Sequence, residues 1–538
     1  TVQGRPYTIQ FYRGEEEPEL FYVNEESITK VFLSYLVKHF KPGLVVWAYY
    51  LPFDMPIICS SFKNVFTAGE ITLKLGPLRL QCVTGKTWFM DGTLRGEELM
   101  IRDAFQFLFR GLDKAAEDLQ VALQKFPRPP YLGSREPKES ERADFERYAK
   151  RDVVTLWHIV EWIRQIHMQY NLDISISLAD LCGKIFRAWY FDTTKASIWL
   201  PSSEILHQAI LSYHGGKTEC YVETPCKIRD VIDYDITSAY PYAMIHIPNF
   251  MDYGIFRHRA KSIHDVEPDG IYQIRGTLEC PYRGLYDHDF VPRKLFDGCW
   301  VTGYELQAVS RMGEFEGVVQ DGWRIESNRE AHNAVSAYVW DFFRQKAQAK
   351  SEKNVTKELW AKLALNSLYG KFIARIPHTY EEKTVWRGGA LFNPLMATCV
   401  TGFLRAYIHG IEHAVKAYHT STDSFLTRCH DAEHMFPGVE GLGALRKVRA
   451  GDAVILRRKL YMLLEPGTNK LLKMARHGFW GEEELLYTMY MKRKRHYWNR
   501  RMVRLKEAMI SKDPDKIAFS MRDEIRTLNI DWSKYQEW

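Results

Sequence analysis

The run "VIDYDITSAYPYAM", residues 231 to 244, restricts what this chain can fold into more than any other stretch. Apolar and β-branched residues lead into Asp235, and "TSAYP" then turns the chain away. The pattern predicts a strand that ends on a carboxylate beside free backbone carbonyls, a setting suited to Mg²⁺, a hard ion that takes oxygen ligands. Taken alone, Asp235 reads more readily as a capping residue. A second acid, Asp423, lies in "YHTSTDSFL", residues 418 to 426, in a polar turn between apolar flanks that read as strands. A Ser-Thr-Asp-Ser cluster is ordinary turn chemistry as well. The rest of the sequence has to decide whether the two acids belong together.

At 538 residues the chain is too long for one hydrophobic core, so three or more subdomains are expected. A hydrophobic fraction of 46% and an aromatic fraction of 14% predict a folded globular protein. The formal charge of +6 is mild for this size, and its distribution carries more than its sum. From Lys492 to Arg504, "KRKRHYWNRRMVR" holds seven Lys or Arg and no acid, interleaved with His496, Tyr497 and Trp498. The nine cysteines form no CxxC pair and no zinc-like Cys/His cluster, which favours a reduced, cytoplasmic protein. No stretch approaches ~18 consecutive apolar residues, so no transmembrane helix is expected. There is no signal peptide, and "TVQGRPYTIQFY" already reads like the inside of a strand.

Strand, helix and strand follow one another in the first sixty residues, as in a small α/β domain. After the proline-rich loop 126 to 139, "ADFERYAKRDVVTLWHIVEWIRQIHM" has the spacing of one long helix. A break lies near "YHGGK", residues 213 to 217. "VWDFFRQKAQAK" and "KELWAKLALNSLYGKF" are helix candidates, and the last fifty residues read as helical and basic. In "KLALNSLYGKF", Lys362, Asn366 and Tyr369 fall at i, i+4 and i+7 and place a cation, an amide and an aromatic ring on one helical face. Lys346 and Lys350 repeat the i, i+4 spacing upstream. Each lysine by itself reads as a solvated surface residue.

Together these runs carry a resemblance. "DITSAYP" resembles motif A of the family B DNA polymerases, "KLALNSLYG" resembles motif B and "STDS" resembles motif C. "RKLYM", residues 458 to 462, is similar to the Lys-x-Tyr motif, and "YHGG" to the Tyr-x-Gly-Gly linker motif. They occur in the family's order. In the N-terminal third, "YYLPFDMPI" is similar to the second exonuclease motif, with Asp54 as its acid, and "YAKRD" to the third, with Tyr148 and Asp152. Asn is usual in the family where Tyr50 stands. The first exonuclease motif, an Asp-x-Glu, belongs just before "GRPYTIQFY" and is not in this sequence. Either the start lies upstream or proofreading is lost.

The resemblance implies a multidomain α/β fold: a right-hand polymerase of palm, fingers and thumb, with an N-terminal RNase H-like 3′-5′ exonuclease-type domain. The implied boundaries are 1–170 for the exonuclease-like domain, 171–230 for the linker, 231–250 and 372–480 for the palm, 251–335 for an insertion, 336–371 for the fingers and 481–538 for the thumb. The implied function is template-directed addition of dNMP from dNTP to a 3′ hydroxyl. Asp235 and Asp423 would be the catalytic metal ligands, with the carbonyl of Ile236 a third, for two Mg²⁺ ions, or Mn²⁺. Tyr240 would pack under the sugar of the incoming nucleotide and exclude a 2′ hydroxyl. Lys350 and Lys362 would contact the triphosphate, and Asn366 and Tyr369 the nascent base pair. Lys459 and Tyr461 would hold the primer end, and Tyr213, Gly215, Gly216, Arg500 and Arg501 the primer-template. In the family, motif C has Asp-Thr-Asp. Here Ser421 replaces the first Asp, and one fewer charge predicts a higher Mg²⁺ requirement or a preference for Mn²⁺.

The long stretch between Pro241 and Lys362, rich in turns, aromatics and basic residues, resembles the first terminal-protein-region insertion of the protein-primed branch found in phages, linear plasmids and mobile elements. The short span from Lys371 to Thr401 leaves little room for the branch's second insertion. The implied partners are primer-template DNA, dNTPs and a terminal priming protein, with no membrane and a monomeric chain. A competing reading is a catalytically degenerate remnant that binds nucleic acid, as Ser421 suggests. Against it stands the joint survival of Asp235, Lys362, Asn366, Tyr369 and Asp423, since binding alone needs none of the acids. A stand-alone nuclease is disfavoured because its site is the less complete.

Overall fold

A central strand, Cys226–Ile236, runs through the middle of the largest sheet, and its consecutive buried residues Val231, Ile232, Asp233 and Tyr234 mark it as covered on both faces. The computed structural model describes residues 6–502 and 521–538, apart from 15, 16, 25, 59–62, 68, 69, 84–88, 122–125, 127, 133, 134, 192–199, 280–292, 381, 382, 480 and 482. Across the sheet the order is Leu471–Arg476, Leu460–Leu464, Leu445–Arg457, Cys226–Ile236, Ser424–Thr427, His419–Ser421 and Thr218–Cys220, with Gln536–Glu537 beside the start of the central strand. Both flanks of Asp423 are strands, as their apolar character predicts.

One face of this sheet is covered by the helix Pro394–Val415. Its start is set by Asn393, whose side chain accepts from the Met396 N–H at 3.0 Å, and by Pro394, whose missing N–H costs nothing in the first turn. The helix is buried almost all round, so its polar residues need partners. Arg405 pairs with Glu305 at 2.6 Å, and Glu412 pairs with Lys217. Ile232, Tyr234 and Ile236 of the strand share one core with Leu404, Ile408 and Ile411 of this helix, with Ile159 and Ile163 of the long helix Arg142–Gln169, and with Tyr338, Phe342 and Trp360. Each such aliphatic contributes ~1.5–3 kcal/mol through burial, so the parts that carry the chemical residues are held by a shared apolar mass.

Residues Ala334–Ser351 and Val355–Ser367 form two packed helices, capped by Asn333 and Asn354. The second ends where Asn366 and Ser367 turn their side chains back onto the carbonyls of Lys362 and Leu363, and Tyr369 already lies on a 3₁₀ turn. Between the central strand and these helices, Tyr253–Arg257, Phe315–Ser327, Gly270–Glu279 and Arg293–Thr302 make a four-stranded antiparallel sheet, in that order. In the short span after motif B, Arg375–Tyr380 and Lys383–Gly388 pair as a hairpin.

Among the described residues the N-terminal sheet has six strands, of which only Leu44–Ala48 and Glu97–Asp103 run parallel. The expected order of strand, helix and strand is present as Thr8–Phe11, Ile28–His39 and Leu44–Ala48, with an additional strand at Glu19–Tyr22. The expectation of a helical C-terminus needs correction. Among the described residues only Glu483–Met491 is an α-helix there, and the basic run enters a strand, His496–Met502, paired with Met521–Thr527; 503–520 lie outside the described residues. The reason lies in alternation: Tyr497 and Asn499 are buried while Trp498 is 69% exposed. Period two with adjacent aromatics favours a strand, whereas like charges at i, i+4 oppose a helix. Among the described residues no helix is long and apolar enough to cross a membrane.

Candidate active site

Asp235 and Asp423 meet at one end of the central sheet. Asp235 stands opposite Ser424 in the ladder, and the Ile236 N–H donates to the Asp423 carbonyl at 2.7 Å. The hairpin that carries Asp423 turns in two residues. Thr422 has φ +62°, and the Asp423 N–H donates to the Ser421 carbonyl at 2.7 Å, a tight three-residue turn that few side chains tolerate. The Thr422 N–H in turn donates to the Lys217 carbonyl at 2.7 Å.

Lys217 is itself immobilised. Its ammonium donates to Glu412 with both side chains fully buried, and Glu412 also accepts from Tyr221 at 2.6 Å and Thr420 at 2.5 Å. Nothing in the sequence flags Lys217 or Glu412, because their pairing spans the chain. They fix the height of the turn that presents Asp423.

Three motifs touch at Gly216. A Cβ there would fall 2.7 Å from the Tyr240 hydroxyl and 2.7 Å from Thr422 Cγ2, so only glycine allows this approach. The neighbouring Gly215 carbonyl accepts from Arg405 at 3.3 Å. Tyr240 stacks on Tyr369, with ring centroids 4.5 Å apart, and Tyr369 shares a hydrogen bond with Tyr213 at 2.9 Å. The structure thus brings Tyr213, Gly216, Tyr240 and Tyr369 into one aromatic wall beside Asp423.

Burial, then the charge of Asp235, pushes the Asp423 carboxyl up to about 6. Asp235 is raised too, by burial and against the pull of Arg446, whose guanidinium lies 3.8 Å from Oδ2. Two raised carboxyl groups in a half-buried corner, Asp423 lifted in part by Asp235 and Asp235 in part by Asp233, fit a divalent cation, which would relieve the repulsion and supply what the surrounding side chains do not. The carbonyl of Ile236 lies on the same strand end.

No sequence motif marks Asp233, although its place two residues before Asp235 puts it on the same strand face. It is fully buried and accepts from Lys473 at 2.7 Å. Tyr461 is 1% exposed and packs against Lys473 and His419, so it faces the interior beneath the acids. Lys459 has φ +65°, and its N–H donates to His419 at 3.3 Å.

Lys362 and Asn366 are exposed on the helix face that looks toward the acids, and the Lys362 charge acts on Asp235. Lys350 is exposed, whereas Lys346 is half-buried, and its ammonium is lowered by burial and by the charge of Lys362, with smaller contributions from Arg446 and Lys350. The i, i+4 spacing found both lysines but could not rank them; burial ranks Lys346 first. For Arg500 and Arg501 the structure gives the strand His496–Met502 and its pairing with Met521–Thr527.

In the N-terminal unit Asp54 lies on the helix Leu51–Ile58, and Tyr148 and Asp152 lie one turn apart on Arg142–Gln169. Asp54 is raised to about 7 by burial, and the carboxylate that adds to this is Asp103; Asp152 is raised to about 7 by burial and then by Asp113. Burial and Asp152 push Tyr148 up to about 12. Asp103 is fully buried at the end of Glu97–Asp103 and accepts from the N–H groups of Tyr50, Leu51 and Phe105. Neither Asp103 nor Asp113 lies in a sequence motif.

Residues 131–394 match the family of DNA polymerases described as type B, organellar and viral. The primer-independent DNA polymerase PolB of Escherichia coli is 25% identical over 264 residues, covering 44% of this chain and 30% of its own length. The chain thus spans about a third of that relative. The DNA-directed DNA polymerase of Enterobacteria phage PRD1 is 23% identical over 508 residues, covering 88% of this chain and 82% of its own. Phi29 DNA polymerase, in its post-translocation binary complex with primer-template DNA, superposes with a TM-score of 0.67 over 95% of this chain and 94% of its own, at 15% identity. By its ordered motifs, by the match of residues 131–394 and by a fold shared with a right-hand polymerase that carries an exonuclease-type domain, the chain resembles the family B DNA polymerases of the viral and organellar type.

Proposed function

We propose that this chain performs template-directed DNA synthesis, with Asp235 and Asp423 as the carboxylates that hold two divalent cations, Mg²⁺ or Mn²⁺, beside the primer 3′ hydroxyl. The observation that carries the reading is the joining of the two acids by the Ile236 to Asp423 hydrogen bond, with both carboxyl groups raised. Held by Asp235 and Asp423, such ions would lower the pKa of the attacking hydroxyl and offset charge on the leaving pyrophosphate.

The side chains divide the remaining work. Lys346, Lys362, Lys350 and Arg446 concentrate positive charge around one place, and a lysine lowered by burial and then by neighbouring cations is a setting that a triphosphate relieves. Tyr240, stacked on Tyr369 and backed by Gly216, cannot swing away and would exclude a 2′ hydroxyl. Asn366 and Tyr369 would meet the nascent base pair. Tyr461 acts as a positioning residue for Lys473, and Lys459 would reach the primer end. Tyr213, Gly215, Arg500 and Arg501 would contact the primer-template.

The domain boundaries are proposed as 1–170 for the exonuclease-like unit, 171–230 for the linker, 231–250 with 372–480 for the palm, 251–335 for the insertion, 336–371 for the fingers and 481–538 for the thumb. Replication of a phage, plasmid or mobile element, with a terminal protein or without any primer, fits the relatives: one is named as primer-independent and another is a phage enzyme. Excision by Asp54, Tyr148 and Asp152 is a further proposed activity.

Extension of a labelled primer with either metal ion, compared with Asp423→Ala and with an unprimed lane, tests the reading. Extension lost in the variant supports it, and product without primer points to self-priming. DNA binding without extension in the unaltered chain would leave the binding remnant. Shortening of the label without dNTPs, absent in Asp152→Ala, reports excision.

A further inference from the structure

We propose that Glu314, His409 and His413 form a structural site for a borderline transition metal, Zn²⁺ before others, that fastens the inserted four-stranded sheet to the helix Pro394–Val415. The site is separate from the polymerase acids and does not depend on their role.

Two segments remote in sequence supply the donors. His409 and His413 are one turn apart on the helix, with ring centroids 4.6 Å apart and planes at 80°. Both rings turn Nε2 toward Glu314: His409 lies 2.7 Å from Oε2 and His413 lies 2.5 Å from Oε1. One donor atom from each residue lies within 4.8 Å of the other two.

Glu314 is held by its backbone. The helix Gly303–Arg311 closes with Gly313 at φ +69°, the Gly313 N–H donating to the Ser310 carbonyl and the Glu314 N–H to the Val309 carbonyl, both at 3.0 Å. This double closure leaves the residue after the glycine little freedom. The carboxylate is therefore presented to the two imidazoles and does not wander to them.

Donor chemistry selects the ion. Two imidazole nitrogens and one carboxylate oxygen form the N₂O set that Zn²⁺ takes at ~2.0–2.2 Å, whereas Mg²⁺ and Ca²⁺ prefer all-oxygen shells. His409 is fully buried and His413 is 27% exposed, so a fourth position filled by water would open beside His413.

The spacing His409-x-x-Glu412-His413 is the H-x-x-E-H arrangement with which some zinc peptidases hold their metal and place a general base. Here Glu412 is occupied by Lys217, Tyr221 and Thr420 in a closed interior. It cannot take a proton from a metal-bound water, which makes the site structural and not hydrolytic.

The test uses the full chain, stripped with chelator, in an Asp235→Asn/Asp423→Asn background so that the polymerase acids do not compete. The probes are Co²⁺ and Zn²⁺ alone. Expected is one equivalent of Co²⁺ with the intense visible absorption of a four-coordinate ion, displaced by Zn²⁺, together with a rise in Tm on Zn²⁺ addition. His413→Gln, at a partly exposed position, should keep its fold by circular dichroism and lose both signals. Glu314→Gln should lower Co²⁺ affinity at least tenfold. The same spectrum in His413→Gln, or no four-coordinate absorption and no Tm shift in the parent, would overturn the proposal and leave a hydrogen-bonded His-Glu-His cluster.

Discussion

The Ile236 N–H donates to the carbonyl of Asp423 at 2.7 Å, which makes the end of the central strand and the hairpin turn one unit. Asp235, one residue before that bond, and Asp423, on its other side, therefore move together. Behind the turn, Thr422 is tied to Lys217 and Lys217 to Glu412. The geometry of two exposed-end carboxylates is thus set by a buried ion pair on the far side of the sheet.

Gly216 closes the same arrangement from the linker side. In Gly216→Ala the new methyl would meet the Tyr240 hydroxyl and Thr422 at 2.7 Å, so the ring or the turn must shift. A displacement of this order costs about 10²-fold in a positioned reaction. Single-nucleotide incorporation should fall by about that factor with the Tm nearly unchanged. A full-rate variant would show that Tyr240 and Thr422 need not be held.

The acids and the glycine were legible as residues, and the motif order located all of them. What the sequence could not show is how they are supported. Lys217 and Glu412 are 195 residues apart in the sequence, and only the fold reveals that they pair. Lys346 and Lys350 share a helical spacing that is blind to depth. Asp233 could have been found by strand alternation, but a buried acid has no surface pattern to announce it. In the basic run after Lys492, charge density suggests a helix, while the alternation of Tyr497, Trp498 and Asn499 carries the observed period.

Glu412→Gln would leave the Lys217 ammonium buried without its counter-charge. Breaking one side of such a pair costs ~3–5 kcal/mol, so the urea midpoint should fall accordingly. A double Lys217→Met/Glu412→Leu variant should recover most of the loss, because it removes both charges. Equal midpoints for the single variant and the parent would show that water reaches Lys217.

The raised Asp423 carboxyl gives a pH signature. Its folded value, about 6, lies above the ordinary 3.8, so the folded chain binds this proton more tightly than the unfolded chain. The stability it contributes is present below about 4 and is lost as pH rises through 6. In chelator, the Tm of the parent should drop more between pH 4.5 and 7.5, to the nearest half unit of roughly this window, than that of Asp423→Asn. Asp54 and Asp152, both about 7, titrate equally in the two proteins and cancel in the comparison. Divalent metal takes the place of the proton and should flatten the drop. At limiting Mg²⁺, incorporation should fall about tenfold per unit below pH 6.

For the basic strand, exchange of Arg500 and Arg501 for Glu should weaken duplex binding for every sequence. If each neutralises a phosphate, the slope of log affinity against log salt should flatten by about 0.9 per lost contact. An unchanged slope would remove this strand from the DNA-binding surface.

Ser421 is the place where the site departs from its family pattern. It sits opposite Ser424 at the base of the turn, one residue from the strained Thr422. A carboxylate there would add negative charge near Asp235 and Asp423 without asking the backbone to change, since Asp is at home beside a tight turn. More charge attracts a hard cation more strongly, so Ser421→Asp should lower the Mg²⁺ concentration for half-maximal incorporation by about tenfold, or ~1.4 kcal/mol. Mn²⁺, which binds such sites more tightly to begin with, should show a smaller change. The measurement is a metal titration of single-nucleotide incorporation in parent and variant. Equal Mg²⁺ dependence in the two would mean that Asp235 and Asp423 already suffice, and that the missing acid has no bearing on metal demand.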